Sequence, residues 1–154
     1  MSGKSVYFYD KALCLIQQIA RNRGKRIRFT HALFDFEIKV SVSFQKSFPH
    51  ANYSGCLFHL DHNIVKRVKS CGYYKDLLRD HAFYIEISCI MSLPYFPPNE
   101  IILYFDALFI TLSQKAQQIA LWFKINYIQG NEGKEPRYRP TFWSIYDNFF
   151  NGYP

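Results

Sequence analysis

The stretch "IRFTHALFDFEIKVSVSFQKSFPHANYSGCLFH", residues 27–59, decides the fold, because it sets β-favouring runs inside a chain otherwise patterned for helices. Ile27, Phe29, Ala32, Leu33 and Phe34 form an apolar run that stops at Asp35, the pattern of a largely buried strand ending at a sheet edge. Asp35 then occupies the C-terminal tip of that strand. The next segment reads two ways: Val40, Val42 and Phe44 alternate as in a strand, while Phe36, Val40, Phe44 and Phe48 repeat every four as in a helix. Helix is the reading adopted, since Pro49 closes a segment longer than a typical strand. "ANYSGCLFHL" then predicts a second short strand entering a turn. From Asp61, the spacing of Ile64, Val65 and Val68 predicts a helix with Asp61 as N-cap and Gly72 as C-cap.

Upstream, residues 9–23 place Leu13, Ile16, Ile19 and Ala20 on one helical stripe, with Lys11, Gln17, Gln18 and Arg21 mostly elsewhere. Gly24 ends that helix and a basic turn, Lys25-Arg26, leads into the strand. Downstream, residues 73–128 carry helical signals only, interrupted where Pro94, Pro97 and Pro98 forbid continuation and Asn99-Glu100 restart a helix. The segment 101–127 is too long for one helix and is expected to break near Ser113. "QGNEGKEPRYRP" is a polar Gly/Pro loop, and "TFWSIYDNFFNGYP" predicts one final aromatic helix ended by Gly152 and Pro154.

The chain has 154 residues, nearly half of them apolar, enough for a real core and too aromatic for disorder. No apolar run approaches the roughly 20 residues that span a bilayer, and "MSGKSVYFYD" lacks the uninterrupted apolar core of an export signal. The expectation is therefore an intracellular protein, not secreted and without a membrane partner. Cys14, Cys56, Cys71 and Cys89 are irregularly spaced, which implies reduced thiols and no disulfide framework. The formal charge of +7 is unevenly placed: residues 1–75 carry 13 Lys and Arg against four Asp and Glu, and the remainder carries six against eight. The first half is the side that faces a polyanion such as DNA. Arg23, Lys25, Arg26 and Arg28 are the candidate contacts there; Lys66, Arg67 and Lys69 form a basic helix face that serves either a phosphate or only solvent.

Asp35 and Glu37 form a D-x-E pattern across a strand-to-helix junction. One reading makes Asp35 a metal ligand; the other attributes both acids to the attraction of a helix N-terminus for negative charge. Cys56-x-x-His59-x-x-His62 has spacing that binds zinc, but a fourth ligand is lacking and Cys71 does not complete a recognised finger, so zinc is not expected. The alternative is a buried thiol with hydrogen-bonded imidazoles. No Ser/His/Asp or Cys/His catalytic signature and no Gly-rich phosphate loop is apparent. The C-terminal aromatics match core spacing better than a base-stacking platform.

Taken in order, the acidic "DFE" closing a strand, the helix ending in "FP", then "GCLFH" with a basic helix, "LPYFPPNEII" and "RPTFWSIYDNFFNGYP" resemble the transposase domain of the Mutator-like (MULE) DNA transposons. The likeness runs from residue 9 to the C-terminus. It implies a helix-rich α/β protein: a partial ribonuclease-H-like core of two strands and flanking helices over residues 1–72, an all-helical insertion over 73–138, and an aromatic helix at 139–154 returning to the core. It also implies Mg²⁺- or Mn²⁺-dependent DNA cleavage and transfer, and residence in the nucleus, the sequence itself allowing either nucleus or cytoplasm. By that resemblance Asp35 is the second catalytic aspartate, and Cys56 and His59 are the family's Cys/Asp-x-x-His motif.

The family's first catalytic aspartate lies upstream of the segment matching residue 9, and its final glutamate follows the Asn-Gly-x-Pro string with which this sequence stops. The expectation is thus a fragment inactive in strand cleavage and transfer, with Asp35 holding a divalent ion only weakly. An unpaired strand edge would favour self-association or pairing with a full-length transposase. The alternatives are an adopted DNA- or protein-binding module and a small zinc-dependent module.

Overall fold

The computed structural model describes residues 5–150, so the Asn151, Gly152 and Pro154 of the final motif, and the helix end expected there, lie outside the described residues. The chain is a helix-rich α/β protein that divides into two compact units, Met1–Cys56 and Leu57–Pro154, a division that falls ahead of the boundary expected at residue 72.

The first unit is built as α1 (Val6–Asn22), β1 (His31–Phe34), α2 (Ile38–Ser47) and β2 (Asn52–Gly55). The strands pair in parallel, His31 opposite Asn52 through Phe34 opposite Gly55, with α2 as the crossover. A two-stranded ribbon is marginal in water unless an apolar face is covered, and here α2 covers it. Phe44 of α2 is the one buried large apolar side chain among the described residues of this unit, with Phe29, Phe34 and Phe48 rings 5.0–5.5 Å from it. The four-residue phenylalanine repeat, not the Val40–Val42–Phe44 alternation, therefore describes this segment.

The first strand is not largely buried: it starts only at His31, and Leu33 is 60 % exposed, because β1 has one neighbouring strand and one covered face among the described residues. The inward stripe of α1 is also rotated from the expected one. Leu13, Gln17 and Ala20 are half-buried, while Leu15, Ile16 and Ile19 are exposed. Gln17 is drawn inward because its amide donates to the Ser47 carbonyl at the end of α2, 3.0 Å away. Gly24 does end α1 as expected: with φ +66°, it lets its own N–H reach the Arg21 carbonyl and the Lys25 N–H reach that of Ala20.

The second unit is helical: α3 (Leu57–Ser70), α4 (Tyr74–Arg79), α5 (His81–Met91), α6 (Ile101–Phe109), α7 (Gln114–Phe123), α8 (Pro140–Trp143) and α9 (Tyr146–Phe150). Leu60, Ile64 and Val68 recur at spacing four and are fully buried, as are Ile87 and Ile90 of α5 and Ile119, Ala120 and Phe123 of α7. Helix α3 begins at Leu57, so the "CLFHL" segment is helical rather than strand, and Asp61 lies inside the helix rather than at its N-cap. The Asp80 carboxylate caps α5 by accepting from the Ala82 and Phe83 N–H groups. Ser113 caps α7 at the break expected there, and Glu86 holds it through both its N–H and its hydroxyl.

Helix α7 runs on into a π-helical turn, Lys124–Ile128, closed by Gln129 N–H on the Lys124 carbonyl. The polar loop behind it turns back at Gly130, whose φ of +80° and close backbone neighbours leave no room for a side chain: a Cβ there would lie 1.9 Å from the Lys134 carbonyl oxygen. The expected single C-terminal helix is two, because the Ser144 hydroxyl donates to the Phe96 carbonyl and Ile145 N–H donates to that of Pro94, which breaks the helical ladder between α8 and α9. Trp143 is fully buried between them, donating from Nε1 to the carbonyls of Tyr127 (2.9 Å) and Tyr138 (3.2 Å), with Phe123 edge-on to its ring. No helix among the described residues is long and apolar enough to cross a membrane.

Removing the indole leaves a cavity and takes a donor from the Tyr127 and Tyr138 carbonyls, so Trp143→Ala should cost the second unit about 3–5 kcal/mol. A shift in the urea midpoint, read by far-ultraviolet circular dichroism, measures it; a change under about 1 kcal/mol would show that this anchor is dispensable.

Candidate functional site

Asp35 and Cys56 are the first residues beyond the paired ends of β1 and β2. Cys56 N–H donates to the Phe34 carbonyl at 2.8 Å, which carries the ladder one step past the register and brings the two positions side by side. The C-terminal ends of adjacent parallel strands are where open α/β sheets place their ligands. Asp35 is exposed and Cys56 half-buried. The Asp35 carbonyl accepts from Glu37 N–H at 2.7 Å, a tight turn that starts α2 two residues after the strand ends.

Glu37 stands at the N-cap position of α2 but caps nothing with its side chain. Its Oε1 accepts instead from the Tyr9 hydroxyl at 3.1 Å, which ties this acid of the D-x-E pattern to α1. On the sheet face that carries His31, Leu33, Asn52 and Ser54, His31 Nε2 lies 2.9 Å from Ser54 Oγ, a pairing that the separation of 23 residues conceals in sequence.

His59 and His62 belong to the second unit, both exposed on α3, with their rings against Phe58. Among the described residues no three His, Cys, Asp or Glu side chains converge as ligands of one ion. A pair of hard divalent cations needs several converging oxygen donors, and the described residues do not bring three such groups together, so they do not fit a bound pair of Mg²⁺ or Mn²⁺ ions.

The predicted basic residues separate into two kinds. Arg23, Lys25, Arg26 and Arg28 are exposed, and none has an acidic partner among the described residues. On α3, by contrast, the Arg67 guanidinium lies over the Trp122 ring (5.9 Å) and Lys69 over Tyr74 (4.3 Å), which gives both a packing role; Lys66 is exposed. A recess of about 470 Å³ in the first unit is lined by Gln17, Arg21, Lys25, Arg26 and Ile27. Arg21 was missed as a candidate because sequence spacing assigns it only to the outer face of α1; the turn at Gly24 folds Lys25 back beside it.

The sequence reads Asp61 only as a cap, yet its Oδ1 is buried with no hydrogen-bond partner among the described residues. Burial pushes its carboxyl up to about 6. Tyr127, packed against Phe123 and Tyr138, is likewise pushed up to about 12 by burial, while Asn63 donates to its hydroxyl. Comparison with protein-family models, curated proteins and solved structures finds no match to this chain.

The folded protein holds the Asp61 proton where the unfolded chain, at 3.8, has released it. Its neutral form therefore contributes stability that is complete below 3.8 and lost as the pH rises through about 6. Asp61→Asn should stabilise the protein at neutral pH by about 1–2 kcal/mol, since a half-buried carboxylate keeps part of its hydration, and should flatten this segment of the stability profile. Parallel denaturation profiles for the two proteins across that interval would exclude the effect.

Proposed function

We propose that this chain carries the middle of a MULE-type DNA transposase catalytic domain, with its first unit as part of a ribonuclease-H-like core and Asp35 as the second catalytic acid. The single observation that carries this reading is the strand end: Asp35 and Cys56 follow paired residues of two parallel strands joined by a helical crossover, and Cys56 N–H is bonded to the residue before Asp35. Both residues of the family's motifs in this unit thus share one sheet edge. His59 follows in the first turn of α3.

Two-metal phosphoryl transfer requires carboxylates from several elements, and Glu37 is engaged by Tyr9. Among the described residues no three such side chains converge, so no strand-cleavage step is assigned to them. Nuclear residence of the chain belongs to the same proposal.

An adopted DNA-binding module is the second reading, favoured by the exposed cations between residues 21 and 28 that have no acidic partner among the described residues.

The expected result of a plasmid-nicking assay in Mg²⁺ or Mn²⁺ is no cleavage above background. Cleavage abolished by Asp35→Asn would refute the inactivity. Sequencing transcripts that cover this frame tests the family: an in-frame upstream strand ending in aspartate and a downstream glutamate support it, whereas unrelated flanking coding sequence counts against it.

A further inference from the structure

We propose that the recess between the C-terminal turn of α1 and the segment leading to β1 is a binding site for a single backbone phosphate of DNA, held by Arg21, Lys25 and Arg26, with Gln17 as a neutral wall. This deepens the DNA-binding reading and rests on it, but not on any catalytic role for Asp35. At about 470 Å³ the recess admits a sugar–phosphate unit rather than only a bare ion. Among the described residues no carboxylate lines it.

The acids of this unit are placed elsewhere. Asp10 pairs with Lys46 at 3.1 Å, Glu37 accepts from Tyr9, and Asp35 stands beyond the end of β1. From residue 11 to residue 34 the sequence contains six Lys and Arg and no Asp or Glu. A helix C-terminus carries only about half a negative charge, which one cation offsets. Arg21 in the last turn already supplies that cation, and the Gly24 turn satisfies the carbonyls of Ala20 and Arg21. Lys25 and Arg26 are thus surplus to the helix, and guanidinium forks match phosphate oxygens in geometry.

A concave site suits a phosphate that projects from a strand. The plane of lipid headgroups meets flat or convex surfaces instead, which favours nucleic acid over a membrane even though Leu15, Ile16 and Ile19 are exposed on the same helix.

The test uses the full chain and a fluorescein-labelled DNA duplex, with polarisation followed across a salt series. Three proteins are compared: the wild type; the recess variant Arg21→Gln, Lys25→Gln, Arg26→Gln; and an equal-charge control, Lys75→Gln, Arg79→Gln, Lys134→Gln. Thermal melts establish that each folds. The recess variant should lose about tenfold in affinity and lower the slope of log affinity against log salt by about 1, the signature of one phosphate contact. The control should lose less, and a charge-preserving exchange (Arg21→Lys, Lys25→Arg, Arg26→Lys) should return binding close to wild type.

Wild-type binding with equal losses in the recess and control variants would leave the DNA-binding reading intact and overturn the site. Absence of wild-type DNA binding would overturn both. Unchanged DNA affinity in the recess variant, with loss of adhesion to phosphatidylserine vesicles, would assign the recess to a membrane surface and sink the proposal.

Discussion

Two four-residue strands in parallel register, with Phe34 opposite Gly55, set the arrangement of the first unit. Four pairs are too few to hold a ribbon by backbone hydrogen bonds alone, because each bond exchanges for one with water at a net gain near 1 kcal/mol. The pairing persists because α2 lays Phe44 against Phe34 and gathers Phe29 and Phe48 around it. Aromatic pairs of this kind add about 0.5–1.5 kcal/mol each beyond the area they bury. The placement of Asp35 beside Cys56 is therefore tied to aromatic packing: Phe34, whose carbonyl receives the Cys56 N–H, is the same residue whose ring packs on Phe44.

The second unit is held by a different device. Trp143 joins parts of the chain far apart in sequence by donating to the turn after α7 and to the loop before α8, while Ser144 and Ile145 bond to the carbonyls around Pro94. The π-helical turn at Lys124–Ile128 presents Tyr127 to this assembly, with its ring between Phe123 and Tyr138. Core and capping are consistent with each other here: Asp80 and Ser113 start helices whose buried faces recur at the helical period.

Much of this was legible in sequence where a single element decided the outcome. The length of the segment closed by Pro49 marked α2 as helix, Gly24 marked the end of α1, and Ser113 marked the break between α6 and α7. Sequence reading failed where a distant partner decided it. Gln17 turned inward to reach Ser47, and the last aromatic segment split because Pro94 and Phe96 recruited Ser144 and Ile145. The candidate site divides in the same way. The location of Asp35 at a strand tip follows from its neighbours, but the engagement of Glu37 by Tyr9, 28 residues away, does not, nor does the return of Lys25 toward Arg21.

Gly130 bears on the history of the chain as much as on its shape. Any of the nineteen other residues at that position meets the Lys134 carbonyl head-on and must open the loop that precedes α8. Codons drift at glycine as readily as anywhere else when nothing depends on the product. Sister copies of this coding sequence that vary around residue 130 yet keep the glycine would therefore record purifying selection on a folded polypeptide, whereas copies that lose it would mark a relic.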